Sequence, residues 1–396
     1  MTTSTDHTAV QVSVPIYWAM PGPTSFLAEL GHLLEAHSAV AVCLERGAVA
    51  GAQHFINDAV KRACHEPERV VFLDVHDGSH IESDIGHHFA RVQLSAMELA
   101  HWSQPPRVIV VLTPFSARSS ERCRGFFEEF VKESAAVSGG AVRLVLVWSL
   151  LADRLPPKSP CELRFNGTLS EDEMHAYVTQ RLVGRRGPGS TSLARHLVIE
   201  FAGADPLVAE ELMALHHNVL LQLPESLASM PLKDASSDQA IGALKDWLEV
   251  RAQAAGSGVA WKRLEQRYWR ACVRALLPWI EERRLPVVDK LRDSLEDYLF
   301  PTRGVWKKPL PWRPGSFQDI PINDLEFNDI VAMSHRDAAD PFKGLDETAN
   351  AALTACSKVK KVRDAIAHMR PPAAADIREM ILSLDALLAE DGARNL

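Results

Sequence analysis

The sequence has no CxxC pair, and its six cysteines, Cys43, Cys64, Cys123, Cys161, Cys272 and Cys356, follow no framework spacing. That excludes a disulfide-stapled scaffold and leaves reduced core thiols of a cytoplasmic protein as the expectation. Long hydrophobic runs are missing too: no apolar stretch reaches the roughly 18 residues that signal a membrane span. The opening MTTSTDHTAVQVSV is polar, with no basic stretch leading into an apolar one, so no signal peptide is expected. Nor is there an excess of positive charge. The formal net charge of −8 argues against a general binder of nucleic acid or anionic membrane, while leaving room for a local basic patch. No serine or cysteine nucleophile elbow occurs.

What is present is an ordinary globular composition, 46% hydrophobic and 24% charged, over 396 residues, which is enough for two or three domains with their own cores. Residues 39–44, AVAVCL, read as a buried strand, followed by a glycine loop and a helix through 53–63. Strand, glycine loop and helix is the arrangement whose backbone N–H groups and lysine cradle the phosphates of a nucleotide. The cradle here is eroded. After Gly47, the second glycine, Gly51, comes one residue early, and Ala52 and Gln53 stand where lysine and a serine or threonine are required.

Further β-branched runs at 70–75, 107–112 and 142–148 alternate with helical patterns around 84–100 and 120–133. These runs lack period-two alternation, as strands covered on both faces do, and predict a three-layer α/β domain on a parallel sheet. A short strand and then Ser170, followed by acidic residues, mark the start of another helix.

This order of elements, with TLSEDEMHAYVTQRL and later GADPLVAEELM, resembles the nucleotide-binding core of STAND proteins across residues 15–228. Gly203, Asp205 and Pro206, with Ala204 inserted, are similar to the family's glycine-x-proline motif. The resemblance implies a P-loop-NTPase-like domain with a helical lid. It also exposes a second loss, because the strand at 107–112 ends in Thr113 and Pro114 where the family carries the acids that hold Mg²⁺ and activate water. Inactive STAND-like domains occur in bacterial conflict systems, so the resemblance implies a regulatory or assembly role in antiphage defence.

A polar, proline-containing stretch at 229–239 marks a boundary, and residues 238–396 read as an all-α bundle. Its expected helices are 240–255, 259–284, 286–299, 324–334, 346–369 and 373–390. On the second of these, Arg263, Arg267, Arg270 and Arg274 fall four, three and four apart on one face, opposite Trp261, Leu264, Tyr268, Cys272 and Trp279. The stripe is either a solvated face partly neutralised by neighbouring acids or a track for a nucleic-acid backbone or an acidic partner. Downstream, RGVWKKPLPWRPG interleaves cations with Trp306 and Trp312, indoles that could stack on bases or fold back onto their own domain.

Arg363, Asp364 and His368 in KVKKVRDAIAHMRPP resemble the Arg-polar-x-x-x-His motif of HEPN domains, helical bundles whose dimers cleave RNA. The resemblance implies proton transfer by His368, charge stabilisation by Arg363 and orientation by Asp364. HEPN-like bundles also act as non-catalytic interaction modules. Finally, DVHDGSHIESDIGHH gathers Asp74, His76, Asp77, His80, Asp84, His87 and His88, donor types that suit zinc or manganese but at a spacing that matches no known motif.

The leading expectation is therefore a cytoplasmic, bacterial-type, non-catalytic regulatory or interaction protein, with no cofactor, no metal and no membrane association. The alternative is a metal-independent endoribonuclease acting as a homodimer. Other proteins of the same defence system, and RNA under the second reading, are the partners expected.

Overall fold

The computed structural model describes residues 14–45, 51–64, 69–137, 140–149, 157–182, 188–229, 242–252, 258–299, 302–310, 313, 315–334 and 347–394. The chain divides into two compact units, one of residues 1–180 with 204–210, the other of residues 181–203 with 211–396. The expected boundary at 229–239 lies almost wholly outside the described residues.

The first unit runs α1 (Val14–Trp18), α2 (Pro21–Ala36), β1 (Ala39–Leu44), α3 (Ala52–Ala63), β2 (Arg69–Val75), α4 (Ile81–His88), α5 (Ala96–Ala100), β3 (Val108–Pro114), α6 (Ala117–Ser134), β4 (Val142–Ser149), β5 (Glu162–Phe165) and α7 (Glu171–Leu182). The five strands form one parallel sheet in the order β2-β3-β4-β1-β5. All six residues of β1 are buried, as a central strand covered on both faces requires. One face packs Ala41, Cys43, Val110, Leu112, Leu144 and Trp148 against Phe127 and Phe130 of α6 and Ile85 of α4. Helices α2 and α3 pack against each other and reach β1 and β2. This is an α/β, three-layer, P-loop-NTPase-like domain.

The helix expected over 84–100 is two helices, and the backbone explains the break. The chain folds back onto Gly86 in the last turn of α4 so tightly that a Cβ there would sit 3.0 Å from the carbonyl of Arg91 and from the backbone of Gln93. Ala90 follows at φ 55°. Helix α7 opens on a capping box: the Ser170 N–H donates to Glu173 at 2.8 Å, and the Glu173 N–H returns to the Ser170 hydroxyl at 3.3 Å. The same carboxylate accepts the Gly22 N–H at the start of α2. Burial alone would raise the Glu173 pKa, but these N–H bonds outweigh it and hold the carboxyl below its usual range.

After α8 (Pro188–Ala202), α9 (Pro206–Ala214), whose residues up to Glu210 belong to the first unit, and α10 (His217–Leu220), the second unit continues with α11 (Gly242–Ala252), α12 (Val259–Glu282), α13 (Arg284–Lys290), α14 (Arg292–Leu299), β6 (Val305–Pro309), β7 (Phe317–Pro321), α15 (Phe327–Ser334), α16 (Glu347–Ala367) and α17 (Ala374–Arg394). Helix α8, part of the lid in the sequence reading, packs on α11 and α12. Gly203, at φ 59°, ends it, and Asp205 caps α9 through the Leu207 N–H at 3.0 Å. The unit is helical but not purely so. Where an extended proline loop was expected, β6 and β7 form an antiparallel hairpin that turns Trp306 inward and Lys307 outward, the period-two pattern of a half-buried strand.

Candidate functional site

In parallel α/β sheets ligands bind at the carboxyl ends of the strands, where the eroded cradle lies. Gly47 lies outside the described residues. Gly51 takes the left-handed conformation at φ 84°, and α3 starts directly behind it with no side-chain cap. Ala52, in the lysine position, is 2% exposed and packs into the core. Gln53, in the hydroxyl position, donates from Nε2 to Asp74 Oδ1 at 2.8 Å, tying the first turn of α3 to the end of β2. Thr113 pairs in register with Asp74, and β3 ends at Pro114 without an acid. Ala52, Gln53 and the end of β3 thus lie along one sheet edge. Where the sequence resemblance leads one to expect a cation, a metal-binding hydroxyl and a metal-binding carboxylate, they present a methyl, a carboxamide and an imino acid. The Gln53–Asp74 link was not anticipated from sequence; the signal was an acid on the last turn-facing position of β2.

The histidine and carboxylate stretch is dispersed by the fold. His76 stacks on Phe115 with centroids 4.8 Å apart, Asp77 accepts from the Ser116 hydroxyl, and His88 meets Arg69 at 3.3 Å. Asp84 and His87 sit within α4, while His80 precedes it. Among the described residues no three metal-capable side chains converge. Arg122 of α6 clamps the turn after β2. Its guanidinium donates to the carbonyls of His76 at 2.7 Å, Asp77 at 3.0 Å, and Ser79.

The arginine stripe is engaged within its own unit. Arg263 Nε lies 2.6 Å from Asp246 and its Nη2 2.7 Å from Glu249. Arg267 reaches Asp246 at 3.3 Å and donates to the Glu200 carbonyl at 3.0 Å. Arg270 and Arg274 grip the Glu200 carboxylate at 2.9 and 3.0 Å. Asp246 and Glu200 are buried, so these pairs form a network joining α8, α11 and α12, and the stripe is not an open cationic track. A carboxylate near the C-terminus of α8 would oppose the helix dipole, and the arginines of α12 offset it.

Trp306 is 4% exposed, which withdraws it from base stacking; Trp312 lies outside the described residues. Lys308, beside the Trp306 ring, pairs with buried Asp329 of α15 at 2.6 Å.

Arg363, Asp364 and His368 lie at the end of α16. Arg363 pairs with Glu326 at 2.9 Å and Asp364 with Lys360, while exposed His368 stands just beyond the helix. The neighbouring cations are engaged too: Lys358 with Ser383 at 2.8 Å and Lys361 with Asp376 at 2.7 Å. His368 is accessible; Lys358, Lys360, Lys361 and Arg363 of α16 face acids and hydroxyls of the same unit, while Arg370, two residues beyond His368, is exposed. Burial pushes the Cys43 thiol up to about 12, helped by the hydrogen bond and charge of Glu162, so β1 offers no nucleophile.

No family model matches the sequence, and no curated protein matches it. Among solved structures, Drosophila ORC bound to GC-rich DNA and Cdc6 aligns at 13% identity over 92% of this chain and 70% of that one, with a TM-score of 0.29. The Thermotoga maritima RuvB Holliday junction branch migration motor aligns at 13% identity over 72% and 89%, with a TM-score of 0.25. Drosophila ORC bound to poly(dA/dT) DNA and Cdc6 gives 13%, 94%, 70% and 0.26. Likenesses this distant carry nothing about the ligands of this chain.

Proposed function

We propose that the chain is a non-catalytic regulatory or interaction protein built on a P-loop-like domain that has lost nucleotide chemistry. The resemblance to inactive STAND domains supports a place in bacterial conflict or antiphage systems. The observation that carries the reading is the Gln53–Asp74 hydrogen bond beside buried Ala52. Phosphoryl transfer depends on a lysine for the β/γ-phosphates and on Mg²⁺ held by a hydroxyl and an acid. At this edge the position for the hydroxyl is occupied by an amide already bonded to protein, and the position for the lysine is part of the core. Turnover of MgATP by the full chain, compared with a heat-denatured control, tests it. Equal rates are expected, and hydrolysis above the control would sink the proposal.

A second reading, a HEPN-type endoribonuclease using Arg363 and His368 across a dimer, draws on the exposure of His368 at the end of α16. Against it stands the engagement of Arg363 and the nearby lysines by groups of their own unit, which leaves less free positive charge to hold an RNA backbone.

A further inference from the structure

At the carboxyl edge of the sheet, Phe115 leaves the core and stands 54% exposed immediately after β3. An exposed phenylalanine is costly to leave in water and, when held rigid, makes an effective binding anchor because little entropy is lost on docking. Phe115 is held in this way. Its N–H continues the ladder to the Val75 carbonyl at 3.1 Å, and one face of its ring is covered by His76 at an interplanar angle of 22°. The turn that carries His76 is fixed in turn by Arg122 through three carbonyls and by the Ser79 hydroxyl, which accepts the His76 N–H at 2.9 Å. Beside the stack lie Asp74 and Asp77, both exposed, each met by a neutral donor, the Gln53 amide and the Ser116 hydroxyl. Among the described residues, the hydrogen bonds these two carboxylates accept come from neutral groups. The Arg122 guanidinium donates to backbone carbonyls of this turn.

We propose that the His76–Phe115 stack, with Asp74 and Asp77 beside it, is a docking surface for an arginine-bearing segment of a partner protein. A guanidinium is planar, stacks on an aromatic face and donates to carboxylates at the same time, which an ammonium does less well. The free face of Phe115 supplies the stacking surface, and the two aspartates supply the acceptors. The proposal rests on the interaction-protein reading and names the kind of partner for the same sheet edge. A nucleotide edge that no longer holds phosphate becomes an acidic edge that receives a cation.

The test uses the full chain and a synthetic capped peptide, Gly-Gly-Arg-Gly-Arg-Gly, titrated by calorimetry, with a citrulline version of identical shape but no charge. The arginine peptide is expected to bind at least about tenfold more tightly than the citrulline one. Phe115→Ala should lose about tenfold, and Phe115→Trp should keep or strengthen binding. Asp74→Asn with Asp77→Asn should weaken binding and flatten its salt dependence. Phe317→Ala, an equally exposed phenylalanine of the second unit at 55%, should change nothing. Because Phe115 is half exposed, its alanine variant should melt as the wild type does. Equal affinity for the two peptides, or no effect of Phe115→Ala, overturns the proposal. Those outcomes leave the loss of nucleotide chemistry standing, whereas MgATP turnover would sink that reading whatever the peptides do.

Discussion

At the scale of single residues, the motif at the end of α16 separates accessibility from chemistry. His368 is exposed, while Arg363 pairs with Glu326 outside α16 and Asp364 with Lys360 one turn earlier in the same helix, an arrangement suited to steadying α16. Single-stranded RNA incubated with wild-type protein in EDTA is expected to remain intact, and His368→Ala is expected to match it on a gel. Cleavage that disappears in His368→Ala, with the fold unchanged, would establish the ribonuclease reading. One residue further on, Met369 is 76% exposed and sits at φ 54°. The Met369 N–H bonds to Ile366 and the Arg370 N–H to Ala365, at 3.0 and 2.9 Å, so Met369 occupies the left-handed position of a Schellman motif that usually takes glycine. Met369→Gly should relieve that strain and stabilise the protein by about 0.5–1 kcal/mol in urea denaturation.

At the scale of elements, α12 shows how far a sequence can be read. Its apolar face was legible because Leu264, Tyr268, Cys272 and Trp279 recur at helical spacing and are buried, while Trp261, expected on the same face in the first turn, is only partly covered. The fate of its arginines was not, because their partners Glu200 and Asp246 lie on other helices and only tertiary packing brings them together. The same limit applies to Trp306, whose hairpin depends on a long-range pairing with residues 317–321, and to Gln53, whose partner comes from the next strand. The strands of the sheet, by contrast, announced themselves through continuous apolar runs, because burial on both faces leaves no room for polar alternation. The network makes an asymmetric prediction. Removing Arg270 and Arg274 together leaves Glu200 buried without its cations and should cost about 3–5 kcal/mol. Glu200→Gln leaves the arginines hydrated at their roughly 40% exposure and should cost clearly less. Equal losses in the two variants, measured by urea unfolding, would mean that the network contributes through packing and not through charge.

At the scale of the whole molecule, the cysteines provide a check on the cores. Cys43, Cys123, Cys161, Cys272 and Cys356 are buried, and burial raises all five thiol pKa values, those of Cys123 and Cys356 to about 12. Alkylation by iodoacetamide at pH 8 should therefore spare these five in the native state and reach Cys64 first, with mass spectrometry reading the site. Rapid labelling of Cys43 or Cys123 would show that the sheet of the first unit opens. Among the described residues no helix is long and apolar enough to cross a membrane. The central claim is that this sheet keeps a P-loop-like frame without the groups that hold MgATP. Its most direct test is calorimetric titration of MgATP into the wild type and into Ala52→Lys/Gln53→Thr. The account predicts no saturable binding by the wild type up to about millimolar ATP, and no rescue in the double variant, since β3 still ends in Thr113 and Pro114. Saturable micromolar binding by the wild type would contradict it.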